Sequence, residues 1–155
     1  MSDRYRDVLA ELGLTLPKVS TPAGAYIPTL RTGNLLFVAG QISQIEGVSM
    51  RGKLGDDLSL EQGQLAARLC ALNILAHVDA AVDSDLERVR RCVRLAGFVN
   101  AVPAFQDHAQ VLNGASELIV ALFGERGRHV RAAIGAGSLP RGAAVEVEAV
   151  FELAP

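Results

Sequence analysis

Residues 129–153, HVRAAIGAGSLPRGAAVEVEAVFEL, contain the pattern that decides the fold. The segment predicts two β-strands joined by the turn sequence Ser-Leu-Pro-Arg-Gly. In the second strand, Val145 and Val147 alternate with Glu146 and Glu148, which is the period of a strand with one buried face. The glycines lie between two strands rather than ahead of a helix, so the segment does not indicate a dinucleotide or phosphate loop.

Three further strands are predicted upstream of this segment. Two short strand-like runs, 25–30 and 35–39, flank the sequence Thr-Gly-Asn at 32–34, which is typical of a hairpin turn. The polar, glycine-containing segment 43–57 predicts a loop. Residues 89–99, VRRCVRLAGFV, are rich in residues that favour strands.

The sequence also predicts two long amphipathic helices. Ser59 and Gln62 match a capping box, and the first helix runs over 60–82. The second helix begins near Ala104 and ends at Gly124. The residues predicted to face the core are Leu65, Leu69, Leu72 and Ala76 in the first helix and Val111, Ala115, Leu118, Ile119 and Leu122 in the second. An extra N-terminal helix is predicted at about 3–12.

This order of elements predicts an α+β fold in which a mixed β-sheet carries two long helices on one face. No repeat or linker divides the chain, so residues 1–155 are expected to form a single domain. The last strands are apolar on more than one face, as Val145, Val147 and Val150 show. We therefore expect the open face of the sheet to be covered by oligomerisation.

The composition excludes several classes of protein. Half of the 155 residues are hydrophobic and 21% are charged, which excludes an intrinsically disordered chain. The net charge of −2 argues against a nucleic-acid partner, because that binding depends largely on phosphate neutralisation. Cys70 and Cys92 lie in apolar runs and are expected to be buried, reduced thiols. With no signal-peptide pattern and no long apolar run, we expect a cytoplasmic protein without a membrane segment.

Few residues have the spacing that a chemical site requires. His77, His108 and His129 have no metal-ligand partners at helical spacing, so a metal site is not expected. Arg131 lies inside an apolar strand, where an unpaired buried charge is unfavourable, and Glu146 lies in the next strand. Two interpretations remain open. One is a structural ion pair across neighbouring strands, and the other is an arginine that binds a substrate carboxylate beside a glutamate that activates water.

Four segments of the chain together resemble the reactive intermediate deaminases, the Rid or YjgF-like family, which is also labelled endoribonuclease L-PSP. AGAYIPTLRTGNLLFVAGQIS at 23–43 resembles the family's Gly-x-Tyr and Ser-Gly-Gln opening. QLAARLCALNIL and FQDHAQVLNGASELIVALFGE resemble its two helices. The segment 129–153 is the most specific, because Leu139-Pro140 follows Arg131 by eight and nine residues and precedes Val-Glu-Val-Glu.

The resemblance implies a chorismate mutase-like fold that assembles as a homotrimer, with sites in the clefts between subunits. It implies that Arg131 binds the substrate carboxylate and that Glu146 activates water. Tyr26, Gly40 and Asn113 would line the same cleft. The implied reaction is hydrolytic deamination of a reactive 2-imino acid, the tautomer of an enamine, to a 2-keto acid and ammonia. It needs no metal or cofactor.

Two departures from the family pattern bear on the substrate range. The family's Arg-Ser-Cys run is Arg131-Ala132-Ala133 here, and its Ser-Gly-Gln begins with Ala39. The lost hydroxyls and thiol make the pocket more apolar. Two alternatives therefore stay open: a non-catalytic protein that binds a small carboxylate in the same cleft, and an endoribonuclease or translation inhibitor.

Overall fold

The computed structural model describes residues 4–155. In chain order its elements are α1 (Arg4–Glu11), β1 (Thr29–Thr32), β2 (Leu35–Ile42), β3 (Gln44–Ile45), β4 (Val48–Ser49), α2 (Leu60–Ala81), β5 (Val89–Asn100), α3 (His108–Phe123), β6 (Val130–Ala136) and β7 (Val145–Leu153). Short 3₁₀ turns lie at Leu86–Arg88, Gly124–Gly127 and Pro140–Gly142.

Five of the strands form one mixed sheet in the order β1-β2-β7-β5-β6. β5 and β6 are parallel, and the other neighbouring pairs are antiparallel. The strands β3 and β4 form a separate hairpin. Helices α2 and α3 pack against each other and against one face of the five-stranded sheet. The predicted α+β fold, a mixed sheet with two long helices on one face, is confirmed.

The alternation in β7 divides the two faces of the sheet as predicted. The side chains of β7 that face the helices and are buried in the core are Val145, Val147, Ala149, Phe151 and Leu153. Glu146 and Glu148 point to the opposite face, where the sheet carries no helix. The core therefore lies between the sheet and the two helices.

The first predicted strand is mostly wrong. β1 begins at Thr29 rather than at residue 25. Pro28 has no N–H to donate to a ladder, and the backbone N–H of Tyr26 bonds back to the carbonyl of Gly24 at 3.0 Å, which bends the chain. Residues 25–28 consequently form an irregular segment beside the sheet. The loop predicted over 43–57 is present except for the short β3–β4 hairpin.

Helix α2 begins with the predicted capping box. Ser59 Oγ accepts a hydrogen bond from Gln62 N at 3.2 Å, and Gln62 Oε1 accepts one from Ser59 N at 2.8 Å. The predicted buried face is wrong at Leu65, which is 52% exposed. Close helix packing is the reason: a Cβ added at Gly114 of α3 would overlap the carbonyl oxygen of Gln64. Small side chains therefore fill the contact, and the buried residues of α2 include Ala66, Ala67, Cys70 and Ala71.

Helix α3 begins at His108, four residues later than the predicted start near Ala104. The backbone N–H of Phe105 bonds to the carbonyl of Val102 at 3.1 Å, so a turn occupies this segment instead. The predicted end at Gly124 is confirmed, since this residue has a φ of 61° that favours glycine. All five residues predicted to face the core are buried: Val111, Ala115, Leu118, Ile119 and Leu122.

The N-terminal helix α1 agrees with the helix predicted at about 3–12, although residue 3 lies outside the described residues. Its anchor is Tyr5, which is 3% exposed and packs its ring 5.3 Å from that of Phe123. The hydroxyl of Tyr5 accepts a hydrogen bond from Arg126, which also forms a 3.7 Å ion pair with Glu87. Helix α1 is thereby fixed to the end of α3.

The face of the sheet opposite the helices is exposed and largely apolar. Val130 of β6 is 67% exposed and Ile134 is 52% exposed. The strand registers place Phe37, Val150 and Val130 in one row across this face, with Arg94 between the last two. This is the open apolar face that the sequence predicts. Within residues 4–155, no helix combines the length and apolarity needed to cross a bilayer.

Candidate functional site

One group of predicted site residues lines a cavity at the end of the sheet. The cavity measures about 610 Å³ and is bounded by residues 18–28, the end of β2, helix α2 and the turn before β7. Glu146, Gly40 and Tyr26 all contribute to its wall. The irregular segment that replaces the predicted first strand brings Tyr26 to this position.

Gly40 makes room for the carboxylate of Glu146. A Cβ added at Gly40 would overlap Glu146 Oε1 and would lie 3.1 Å from Glu146 Cδ. The register between β2 and β7 shifts between Val38 and Gln41, so Gly40 lies in a bulge of β2, two residues before Ile42, the register partner of Glu146. Glycine at position 40 therefore allows the carboxylate to lie against the backbone.

The environment of Glu146 disfavours its charge. Burial raises the pKa of Glu146 above its ordinary value, and the negative charge of Glu148 raises it further. Glu148 is itself half exposed and lies 3.9 Å from Arg94, so part of its charge is compensated. A carboxylate whose pKa is raised is a stronger base than an ordinary surface glutamate.

The inner wall of the cavity carries polar side chains from helix α2. Asn73 Nδ2 donates hydrogen bonds to the carbonyls of Ile42 at 3.2 Å and Gln44 at 2.7 Å. His77 is 3% exposed, and its Nε2 lies 3.3 Å from Ser20 Oγ. Burial lowers the pKa of His77, which favours the neutral ring. These contacts fix the strand end and the segment 18–28 around the cavity.

Arg131 lies elsewhere, on the edge strand β6. Its side chain turns toward helix α3, where Nη1 donates to Ser116 Oγ at 2.9 Å and Nη2 donates to the carbonyl of Ala109 at 3.0 Å. Asn113 is four residues after Ala109 and three before Ser116, so it lies on the same stripe of α3. Arg131 and Asn113 thus form a second group, half-buried between β6 and α3.

The two groups are separate within one chain. β5 lies between β6 and β7, and Arg131 is aligned with Leu95 and Ala149, three residues from Glu146. Two strand spacings of about 4.8 Å and three residues of about 3.3 Å place the two Cα atoms about 14 Å apart. The side chains also point to opposite faces. The structural ion pair considered from the sequence is therefore wrong, because the two strands are not neighbours.

Sequence reasoning missed Ser116 and His129, which continue the group around Arg131. His129 Nε2 lies 2.9 Å from Ser116 Oγ, and His129 Nδ1 lies 2.7 Å from the carbonyl of Gly127. The spacing contained a signal: His129 precedes Arg131 by two residues, so the two share a side of the extended chain. The serine could be found only from the packing of α3 on β6.

The remaining nucleophiles and metal-binding residues form no site in the described part of the chain. Among residues 4–155 there is no group of three or more His, Cys, Asp and Glu side chains that could hold a metal ion. Cys70 and Cys92 are buried and free, as predicted. Burial raises the pKa of Cys92 to about 12 and that of Cys70 well above its ordinary value, so both remain protonated thiols.

Comparison with known proteins gives consistent matches over most of the chain. Residues 6–153 match the family model described as "YjgF/chorismate mutase-like, putative endoribonuclease". The chain is 46% identical to Protein TCP17 of Trypanosoma cruzi over 154 residues, which cover 98% of this chain and 96% of that protein. It is also 46% identical to the crystal structure of Atu1372 from Agrobacterium tumefaciens, with a TM-score of 0.91 and coverage of 98% and 93%. RidA from an Antarctic Psychrobacter is 25% identical, with a TM-score of 0.60 and coverage of 88% and 94%.

Proposed function

Because the chain belongs to the YjgF/chorismate mutase-like family, we propose that it hydrolyses reactive 2-imino acids to 2-keto acids and ammonia, at sites formed between two copies of the chain. One structural relative, 25% identical, is named RidA, which is consistent with this proposal. The observation that carries the proposal is the carboxylate of Glu146, held against Gly40 at the wall of a cavity with its pKa raised by burial.

The proposed reaction uses Glu146 as a general base and acid. Glu146 accepts a proton from water while the water oxygen bonds to the imine carbon, and the electron pair of the C=N bond moves to nitrogen. The protonated Glu146 then returns the proton to nitrogen. Glu146 next removes the hydroxyl proton of the resulting carbinolamine and passes it to nitrogen; the C=O bond forms as the C–N bond breaks, and ammonia leaves. Tyr26 and Gly40 shape the surface on which the imine lies.

Arg131 is proposed to bind the substrate carboxylate, with Asn113 beside it. An arginine offers two parallel N–H groups to a carboxylate, which orients the substrate as well as attracting it. Within one chain the Cα atoms of Arg131 and Glu146 are about 14 Å apart, which is too far for one small imino acid to reach both residues. A second copy that presents Arg131 and Asn113 to the cavity of the first resolves this difficulty.

The exposed apolar face supplies the reason for assembly. Val130 and Ile134 lie on β6 next to Arg131, so burial of this face against another copy would bring the Arg131 edge to a neighbour. We propose a homotrimer, in which each of three interfaces contains one site. Such a closed ring uses the same interface three times and leaves no open face at either end.

The direct test is release of 2-keto acid and ammonia from a freshly generated 2-imino acid. We expect the wild-type protein to accelerate the release and Arg131→Ala to lose most of the acceleration. Arg128→Ala is the matched control, since Arg128 forms only an exposed pair with Glu125 at 3.6 Å. An Arg131→Ala variant with the wild-type rate would show that Arg131 does not bind the substrate carboxylate.

The same preparations separate the two alternatives. Ala39, Ala132 and Ala133 favour a carboxylate-binding protein without catalysis, because hydroxyl and thiol groups of the family pattern are missing. Binding of 2-oxobutanoate with no acceleration of imine hydrolysis would identify that protein. An endoribonuclease would instead cleave single-stranded RNA, with binding that weakens steeply as salt is raised.

A further inference from the structure

A chain of hydrogen bonds extends from Arg131 into the protein. Arg131 Nη1 lies 2.9 Å from Ser116 Oγ, Ser116 Oγ lies 2.9 Å from His129 Nε2, and His129 Nδ1 lies 2.7 Å from the carbonyl of Gly127. The chain joins three elements: the edge strand β6, helix α3 and the 3₁₀ turn that ends α3. Its members are half-buried, except Gly127, which is buried.

The chemistry of the end groups determines the direction of every bond in this chain. A carbonyl oxygen only accepts, so His129 Nδ1 carries the proton toward Gly127. Burial and the charge of Arg131 lower the pKa of His129, so the ring is neutral and its Nε2 accepts. Ser116 therefore donates its hydroxyl proton to His129, and its oxygen accepts from Arg131, which can only donate.

These hydrogen bonds hold the guanidinium group of Arg131 in place before any ligand binds. A free arginine side chain loses substantial rotamer freedom when it grips a carboxylate. Here one N–H is engaged by Ser116 and a second by the carbonyl of Ala109. Three of the five guanidinium N–H groups remain for a ligand. The Arg131 side chain is therefore already ordered before a ligand binds, so binding loses less conformational entropy and the affinity is higher.

We propose that Ser116 and His129 are positioning residues that hold Arg131 in the orientation that binds the substrate carboxylate. The inference rests on the proposed function, because it takes Arg131 as the carboxylate ligand. Neither residue contacts the imine, so their loss should weaken binding while the proton transfer at Glu146 continues. Substrate affinity and turnover should therefore separate.

Steady-state kinetics of Ser116 variants test this separation. Ser116→Ala is expected to raise KM about tenfold and to change kcat by less than about twofold, as for loss of a bond to a charged group. Ser116→Thr, which keeps the hydroxyl, should restore the wild-type KM. Ser49→Ala is the matched control, because Ser49 Oγ also accepts from an arginine, Arg51, at 3.1 Å on the exposed β4. An unchanged KM in Ser116→Ala would overturn the proposal.

His129 variants test the second link. His129→Gln leaves an acceptor for Ser116 and should have a KM closer to wild type than that of His129→Phe, which leaves none. Nitrogen NMR of His129 supplies a readout that does not depend on activity. We expect the neutral tautomer with the proton on Nδ1. The opposite tautomer would overturn the proposed hydrogen bonding of His129 to Ser116 and Gly127.

The outcomes distinguish this proposal from the proposed function. If Arg131→Ala abolishes deamination while Ser116→Ala behaves as wild type, the function stands and the positioning role is refuted. If the wild-type protein shows no deamination, the positioning role is tested separately by calorimetry, which compares the affinity of the wild type and of Ser116→Ala for 2-oxobutanoate. Affinity about tenfold weaker in Ser116→Ala supports it, and equal affinity overturns it.

Discussion

Substitution of Gly40 by alanine perturbs the proposed site by a single methyl group. A Cβ at this position would overlap Glu146 Oε1 and would lie 3.1 and 3.3 Å from Glu146 Cδ and Cγ. To reach ordinary van der Waals separation, the carboxylate must move by about 1 Å. Gly40 has no positive φ, so alanine itself introduces no backbone strain.

This displacement has a larger effect on the reaction than on the fold. Glu146 is half-buried at a cavity wall and has space to rotate, so the stability penalty should be about 1 kcal/mol or less. A catalytic group misplaced by about 1 Å loses about 100-fold in rate. We therefore expect kcat of Gly40→Ala to fall about 100-fold while the melting temperature changes little.

Imine hydrolysis and thermal unfolding of the same preparations test this prediction. Gly137→Ala is the matched control, since a Cβ at Gly137 meets nothing within 4 Å and its φ is not positive. A carboxylate displaced toward water should also have a lower pKa, so the acidic limb of the rate profile, along which Glu146 becomes ionised, should shift to lower pH. If Gly40→Ala keeps the wild-type kcat, the position of Glu146 against Gly40 has no catalytic significance.

Three further substitutions test the fold, the assembly and the charge of the site. Tyr5→Ala should lower the free energy of unfolding by about 3 kcal/mol in urea titrations, because a buried ring is lost. Leu12→Ala, which truncates a 40% exposed side chain, should lower it by less than about 1 kcal/mol. Ile134→Lys should convert the proposed trimer to monomers in sedimentation experiments and abolish activity, while Val120→Lys, on the helix side, should leave the assembly intact. Glu146 has a higher pKa folded than unfolded, so the wild-type protein loses stability as pH rises between those two values. Glu146→Gln should therefore match the wild-type melting temperature at pH 4 and exceed it at pH 7.5; an equal difference at both values would contradict this linkage.

The parts of the fold that follow from local periodicity were predictable. The alternation of Val145 and Glu146 assigned the two faces of β7, and the spacing from Val111 to Leu122 assigned the buried stripe of α3. Leu65 was not predictable in this way, because α2 packs against both the sheet and a second helix. A single-stripe pattern does not describe a helix that is buried on two sides.

The arrangement of the site depends on contacts that a strand period does not contain. Periodicity shows which residues of a strand share a face with Arg131 or with Glu146. It does not show which strand lies between the two. The parallel pairing of β5 with β6 places Arg131 on the sheet edge beside α3. The resemblance of the motifs identified Arg131 and Asn113 together, and Asn113 lies on the stripe of α3 whose residues Ala109 and Ser116 bond to Arg131. Ser116 and His129 required the three-dimensional structure.

A subunit-mixing experiment tests the central claim, that the site takes Arg131 from one chain and Glu146 from another. Arg131→Ala and Glu146→Gln are each expected to be inactive alone. When equal amounts are unfolded and refolded together, about one quarter of the sites in random trimers should pair an intact Arg131 with an intact Glu146 of the neighbouring chain. We expect recovery of about a quarter of the wild-type activity. A mixture that remains as inactive as either parent would contradict it.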